Sequence, residues 1–60
     1  MDSLEILDYA SQLKTARGES AILEAASHAN ECEARGDSEA AENWRRIRSA
    51  LTTLLGPHAS

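Results

Sequence analysis

An apolar repeat framed by two glycines is the feature that most constrains how this chain folds. It lies between residues 36 and 57, and its members are spaced by 4, 3, 4 and 3 residues: Ala40, Trp44, Ile47, Leu51 and Leu54. Residues at this spacing share one face of an α-helix. Asp37 or Ser38 can cap the start of that helix, and Gly56 followed by Pro57 is typical of its end. We therefore predict an amphipathic helix whose apolar face packs against another helix.

A first helix is predicted over residues 3–17. Asp2 or Ser3 is its candidate N-cap. Its apolar stripe consists of five residues: Ile6, Tyr9, Ala10, Leu13 and Ala16. Gly18 either ends this helix, with Ser20 capping the next, or bends one long helix over residues 3–35, because one glycine costs a helix only about 1 kcal/mol.

A second helix, over residues 20–35, precedes the final helix, over residues 38–55. Its predicted packing face is made mostly of small residues: Ile22, Ala25, Ala26, Ala29 and Cys32. The link at residues 35–37 is so short that it predicts an antiparallel helical hairpin. In that register Trp44 lies opposite Ala29 and becomes the central core residue, and Glu24 approaches Arg48.

The length of the chain points to a partner. The sequence has 60 residues and one cysteine, Cys32, so an intrachain disulfide is excluded. A domain this small buries only about 60% of the surface that its unfolded chain exposes. We expect a single all-α domain over residues 1–60, with a loose tail at residues 57–60, that dimerises into a larger helical bundle. The large apolar side chains in excess of one thin bundle should form its interface: Leu4, Leu7, Leu23 and Leu55.

The distribution of charge bears on the class of partner. The net charge is −4, all ten acidic residues lie within residues 1–44, and residues 45–60 carry only three arginines, Arg45, Arg46 and Arg48. An acidic chain repels nucleic acid, so only this cluster could bind a phosphate backbone. Glu42 lies three and four residues before Arg45 and Arg46, and this spacing also allows pairing within the fold. No apolar run long enough for a membrane and no secretory signal is present, so we expect a cytoplasmic protein.

Two short motifs favour a structural interpretation over a chemical one. Glu24, His28 and Cys32 share a helix face, but a tetrahedral zinc site needs a fourth ligand, and the other histidine, His58, lies in the tail. The tripeptide at residues 35–37 reads Arg-Gly-Asp, and it is better explained as the end of one helix and the start of the next than as a cell-adhesion motif. We therefore predict no metal, no cofactor, no catalytic residue and no enzymatic activity.

Two resemblances add to this interpretation. The run ANECEARGDSEAAENW, residues 29–44, resembles the turn of a tetratricopeptide hairpin, although one copy cannot form a repeat array. A wider pattern, A-x(6)-GD-x(2)-A-x(3)-W-x-R-I, is similar to that of short uncharacterised bacterial helical proteins. Here it comprises Ala29, Gly36, Asp37, Ala40 or Ala41, Trp44, Arg46 and Ile47. The resemblance implies a compact helical fold and a bacterial or phage origin, and it brings no activity.

These observations predict a small protein-interaction module, an adaptor or an inhibitor that occupies the surface of another protein. The interface candidates are the four leucines at positions 4, 7, 23 and 55, together with Arg45 and Arg48. The alternative is a dimeric DNA-associated regulator that uses the Arg45 and Arg48 face.

Overall fold

Three α-helices and two short turns make up the computed structural model, which describes residues 3–56. The helices are α1 (Ser3–Arg17), α2 (Ser20–Ala34) and α3 (Ser38–Leu55). The all-helical fold class is confirmed, and α2 ends one residue earlier than predicted. The candidate cap at Asp2, the tail at residues 57–60 and His58 within it lie outside the described residues.

Gly18 forms a turn between α1 and α2, which decides between the two alternatives for this region. Its φ of 62° is in the left-handed region, and its N–H donates to the carbonyl oxygen of Lys14 at 2.8 Å. This is a common way to end a helix. The predicted N-cap at Ser20 is wrong, because Ser20 is already the first residue of α2 and its hydroxyl donates to the carbonyl oxygen of Arg17 at 2.7 Å.

The turn between α2 and α3 is closed by hydrogen bonds on both sides. Gly36, with φ 79°, donates its N–H to Glu33 O at 3.0 Å, and Asp37 donates its N–H to Cys32 O at 2.8 Å. This pair of bonds satisfies the last carbonyls of α2. Asp37 then caps α3, since its Oδ1 accepts from the N–H of Ala40 at 3.2 Å. The Arg-Gly-Asp tripeptide thus ends one helix and begins the next.

The core lies where α3 packs against both other helices, whereas α1 and α2 touch each other little. Each helix contributes two buried residues to it: Ile6 and Ala10, Ala21 and Ala25, and Ile47 and Leu51. Five further side chains are partly buried against this cluster: Leu13, Ile22, Trp44, Ala50 and Leu54. Outside this cluster, Ala29, Cys32 and Ala41 are also buried. The two large side chains from α3 therefore fill space that alanines on α1 and α2 leave open.

Trp44 is not the central core residue that the apolar repeat predicts. It is only partly buried and lies at the edge of the core. Its ring stacks on that of His28, with centroids 4.3 Å apart and planes at 22°, and meets the Tyr9 ring edge-on at 5.7 Å and 81°. The centre of the core is Leu51, which is fully buried. The buried cluster combines Ala21 and Ala25 of α2 with Ile47 and Leu51 of α3, and the indole packs against it from outside.

Leu51 provides a test of this arrangement with a built-in control. We expect Leu51→Ala to lower the free energy of unfolding by about 2–5 kcal/mol, because it removes a fully buried side chain and leaves a cavity. Leu23→Ala removes the same atoms from a side chain that is 74% exposed, and should change stability by no more than about 0.5 kcal/mol. Urea denaturation followed by circular dichroism at 222 nm measures both, and equal losses would show that the core is placed wrongly.

Gly36 tests the turn between α2 and α3. A Cβ built at this position meets no atom within 4 Å, so a substitution is strained only through its positive φ. Gly36→Ala should cost about 1–2 kcal/mol, and Gly36→Asn should cost less because asparagine tolerates the left-handed region better. Thermal unfolding of the two variants measures the difference. An alanine variant as stable as the wild type would mean that the turn has another conformation.

Candidate interaction surfaces

The exposed leucines lie on the outer sides of two different helices. Leu4 on α1 is 75% exposed and Leu23 on α2 is 74% exposed, whereas Leu7 is 45% exposed and Leu55 is partly buried. At about 100° per residue, Leu23 points roughly 160° away from the buried Ala21 and Ala25 of its own helix. Leu4 lies at a similar angle from Ile6 on α1.

The expectation that the four leucines form one apolar surface stays a prediction. Leu4 and Leu23 face outwards on α1 and α2, and these two helices have few mutual contacts. Leu4 and Leu23 thus provide two exposed apolar points, one on each helix.

A groove between α1 and α3 adjoins the first of these points. We call it the α1–α3 groove; it is an open depression with a volume of about 340 Å³, lined by Ile6, Leu7, Arg46, Ser49, Ala50 and Thr53. Ile6, Leu7 and Ala50 provide an apolar floor, and the other three residues form a polar rim. The exposed part of Leu7 thus belongs to the wall of a concave surface.

A second groove lies between α2 and α3 and contains the two predicted arginines. This α2–α3 groove encloses about 550 Å³ and is lined by Ala26, Ala29, Asn30, Arg45, Arg48, Ser49 and Thr52. Its lining is more polar than that of the α1–α3 groove. Guanidinium groups in such a groove suit carboxylate or phosphate partners.

The three arginines of α3 differ in how they are paired. Arg45 forms an ion pair with Glu33 of α2, and Arg46 forms the predicted pair with Glu42, with Nη2 to Oε1 at 3.1 Å. Among residues 3–56, Arg48 takes part in no ion pair. Exposed pairs of this kind contribute little, so all three arginines remain available to an external anion.

The predicted approach of Glu24 to Arg48 is wrong. Glu24 instead pairs with Arg17, whose Nε lies 3.1 Å from its Oε2, and Nε2 of His28 lies 3.8 Å from its other oxygen. The turn at Gly18 brings the last residue of α1 back over α2, and this contact occupies the carboxylate. The register predicted for the last two helices could not indicate this partner, because Arg17 lies on α1.

The potential metal ligands do not form a site. Across residues 3–56, no group of three side chains is arranged to hold a metal ion. Cys32 is buried, and its Sγ accepts a weak hydrogen bond from Arg35 Nη2 at 3.5 Å. The His28 ring stacks on Trp44. Glu24 and His28 approach each other to 3.8 Å, but the thiol of Cys32 contacts Arg35 instead, so the three side chains do not converge on one point.

One feature of this region was missed in the sequence: Tyr9, Trp44 and His28 form a cluster that joins all three helices. Tyr9 belongs to the predicted apolar stripe of α1, so the sequence indicated that α1 contributes this ring to a contact with another helix. Nothing in the helical spacing indicates that a histidine stacks on the indole, because His28 falls between the apolar positions of α2.

Comparison with protein-family models, with curated proteins and with solved structures finds no match to this chain. Over residues 3–56, none of the helices combines the length and the apolar character needed to cross a membrane. The function must therefore be argued from the surfaces described above.

The Glu33–Arg45 pair allows a test of whether Arg45 is available to a partner. Both side chains are about half exposed. A double-mutant cycle with Glu33→Gln and Arg45→Gln should give a coupling of about 0.2–1 kcal/mol in unfolding free energy. The coupling should fall as sodium chloride is raised, because salt screens exposed charges. A coupling above about 2 kcal/mol at high salt would instead mean that Arg45 is committed to the fold.

Proposed function

We propose that this chain is a small non-enzymatic protein-interaction module, an adaptor or an inhibitor that occupies the surface of another protein, and that it forms a homodimer. The observation that supports this most is the exposure of Leu4 on α1 and of Leu23 on α2, each facing away from the buried residues of its own helix. Burying one leucine side chain stabilises a complex by about 1.5–3 kcal/mol. Two such side chains offer an amount of binding energy that is large relative to what so small a core provides.

The composition of the core supports the need for a partner. Among the residues that the structure describes, six of the nine buried apolar residues are alanine or cysteine, and the larger ones are Ile6, Ile47 and Leu51. Small side chains bury little apolar area, and the stability of a domain follows from that area. Association with a second chain would add to the buried apolar area.

Our proposal includes an antiparallel hairpin of α2 and α3. Its support is the order of the contacts: Glu33, near the end of α2, pairs with Arg45 in the first half of α3, and Ala26, earlier in α2, shares a groove with Thr52 near the end of α3. The resemblance to short bacterial and phage helical proteins and the cytoplasmic location belong to the same proposal.

The proposal assigns no chemistry to Cys32 or His28. The thiol of Cys32 is buried, and the ring of His28 is stacked on Trp44. A nucleophile and a base must both reach a substrate and each other. These two side chains instead contribute to packing between the helices.

A dimeric DNA-associated regulator is the second candidate. Its support is the group of arginines on α3, together with the absence of any acidic residue from residues 45–60. Two of the three arginines already have carboxylate partners, and the whole chain has a net charge of −4. These charges weaken attraction to a phosphate backbone, so we rank this function second.

Fluorescence anisotropy with a labelled DNA duplex, combined with light scattering over a range of protein concentrations, separates the two functions. We expect no binding to the duplex at about 0.15 M salt and a mass that rises towards that of a dimer. The opposite result would be salt-sensitive binding to DNA that is lost in Arg45→Ala and Arg48→Ala. That result would replace the protein-interaction module with the DNA-associated regulator.

A further inference from the structure

We propose that the α1–α3 groove is the interface of the homodimer, and that each copy inserts Leu4 into the groove of the other. This inference rests on the self-association included in the proposed function. It names the surface, the inserted side chain and the occupant, which is a second copy of this chain.

Leu4 is the projecting part of this interface. It lies one turn before Leu7 on the same side of α1, since residues three apart are neighbours on a helix surface. Leu4 is 75% exposed, and Leu7 belongs to the wall of the groove. The inserted residue and the receiving surface are therefore adjacent on each copy, which keeps the contact area continuous.

The groove has the size and chemistry to receive an aliphatic side chain. Its volume is about 340 Å³, and Ala50 leaves open the space that a larger residue would fill. On the rim, the hydroxyl of Thr53 already donates to the carbonyl oxygen of Ser49 at 3.2 Å. Covering that hydroxyl therefore leaves no donor without an acceptor, and this lowers the cost of removing water.

The charges beside these surfaces are complementary. Asp8 lies one turn after Leu4 on α1, and Arg46 is on the rim of the groove. Arg46 pairs within its own helix with Glu42, but both side chains are more than half exposed, so this pair is weak and can be exchanged. Asp8 of a second copy can therefore pair with Arg46 on the rim of the α1–α3 groove that receives Leu4.

A second copy fits this surface better than an unrelated protein because one chain carries both halves of the contact. In a two-fold symmetric dimer, every contact between residue i and residue j is made twice. Here the leucine and the groove, and the aspartate and the arginine, are all present on each copy. Leu23 on α2 lies one turn before Ala26, which lines the more polar α2–α3 groove, so it provides a control of nearly equal exposure beside a different surface.

Sedimentation equilibrium over a wide range of concentrations tests the proposal with two matched variants. Leu4→Lys should raise the dissociation constant of the dimer at least about tenfold, because two leucines per dimer lose their apolar contacts. Leu23→Lys introduces the same side chain at a position of nearly the same exposure, and should leave the constant within about twofold. Circular dichroism of both variants checks that the helices persist, which we expect since both positions are exposed.

A charge exchange tests the register of the interface. Asp8→Arg should weaken the dimer, because it places an arginine beside Arg46 of the other copy. Adding Arg46→Glu to the same chain should restore part of the lost affinity, since each copy then carries both exchanged charges. Restoration would not be expected if Asp8→Arg acted only on the fold of its own chain.

The remaining outcomes each overturn the proposal in a distinguishable way. A wild-type dimer that Leu4→Lys leaves intact would place the interface elsewhere and keep the proposed self-association. A dimer lost in Leu23→Lys but not in Leu4→Lys would place it on α2. A wild-type chain that is monomeric at every concentration would overturn both the groove and the homodimer, and it would also exclude the dimeric form of the DNA-associated regulator.

Discussion

The fit of two large side chains of α3 into alanine-lined surfaces holds the three helices together. Ile47 and Leu51 are buried against Ala10 of α1 and against Ala21 and Ala25 of α2. Alanine allows two helix backbones to approach closely, and the larger side chain then fills the space between them. Because α1 and α2 scarcely touch each other, both depend on α3 for their position. The grooves on either side of α3 follow from the same arrangement.

Most helix ends could be predicted from the sequence because local chemistry encodes them, whereas the start of α2, where Glu19 and not Ser20 is the N-cap, was predicted wrongly. Gly18, Gly36 and Gly56 all adopt positive φ, and Asp37 caps α3 as its position after Gly36 indicates. The rotation of the helices about their axes was harder to predict. Spacing identifies the apolar face of a helix but not the line of closest approach to a neighbour. On α2, Ala21 is buried, whereas Ile22 is only partly buried.

The candidate surfaces also combine features that the sequence predicts with features that it does not. The exposure of Leu4 and Leu23 follows from counting large side chains against the small volume of the bundle. Their places on two different helices follow from the predicted helix bounds, whereas the groove beside Leu7 does not, because it depends on how α1 lies against α3. The pairing of Glu24 with Arg17 is a further case, since it is set by a turn that brings two helices together. Contacts within one helix, such as Glu42 with Arg46, need only the period of that helix and were predictable.

The position of Trp44 at the edge of the core has a practical consequence. It is the one tryptophan in the chain, and its ring touches an aromatic side chain from each of the other two helices. Detachment of α1 would remove Tyr9 from the edge of the indole, whereas separation of α2 would remove His28 from its face. The chain therefore contains an intrinsic fluorophore whose emission distinguishes which helix leaves first, without any label being attached.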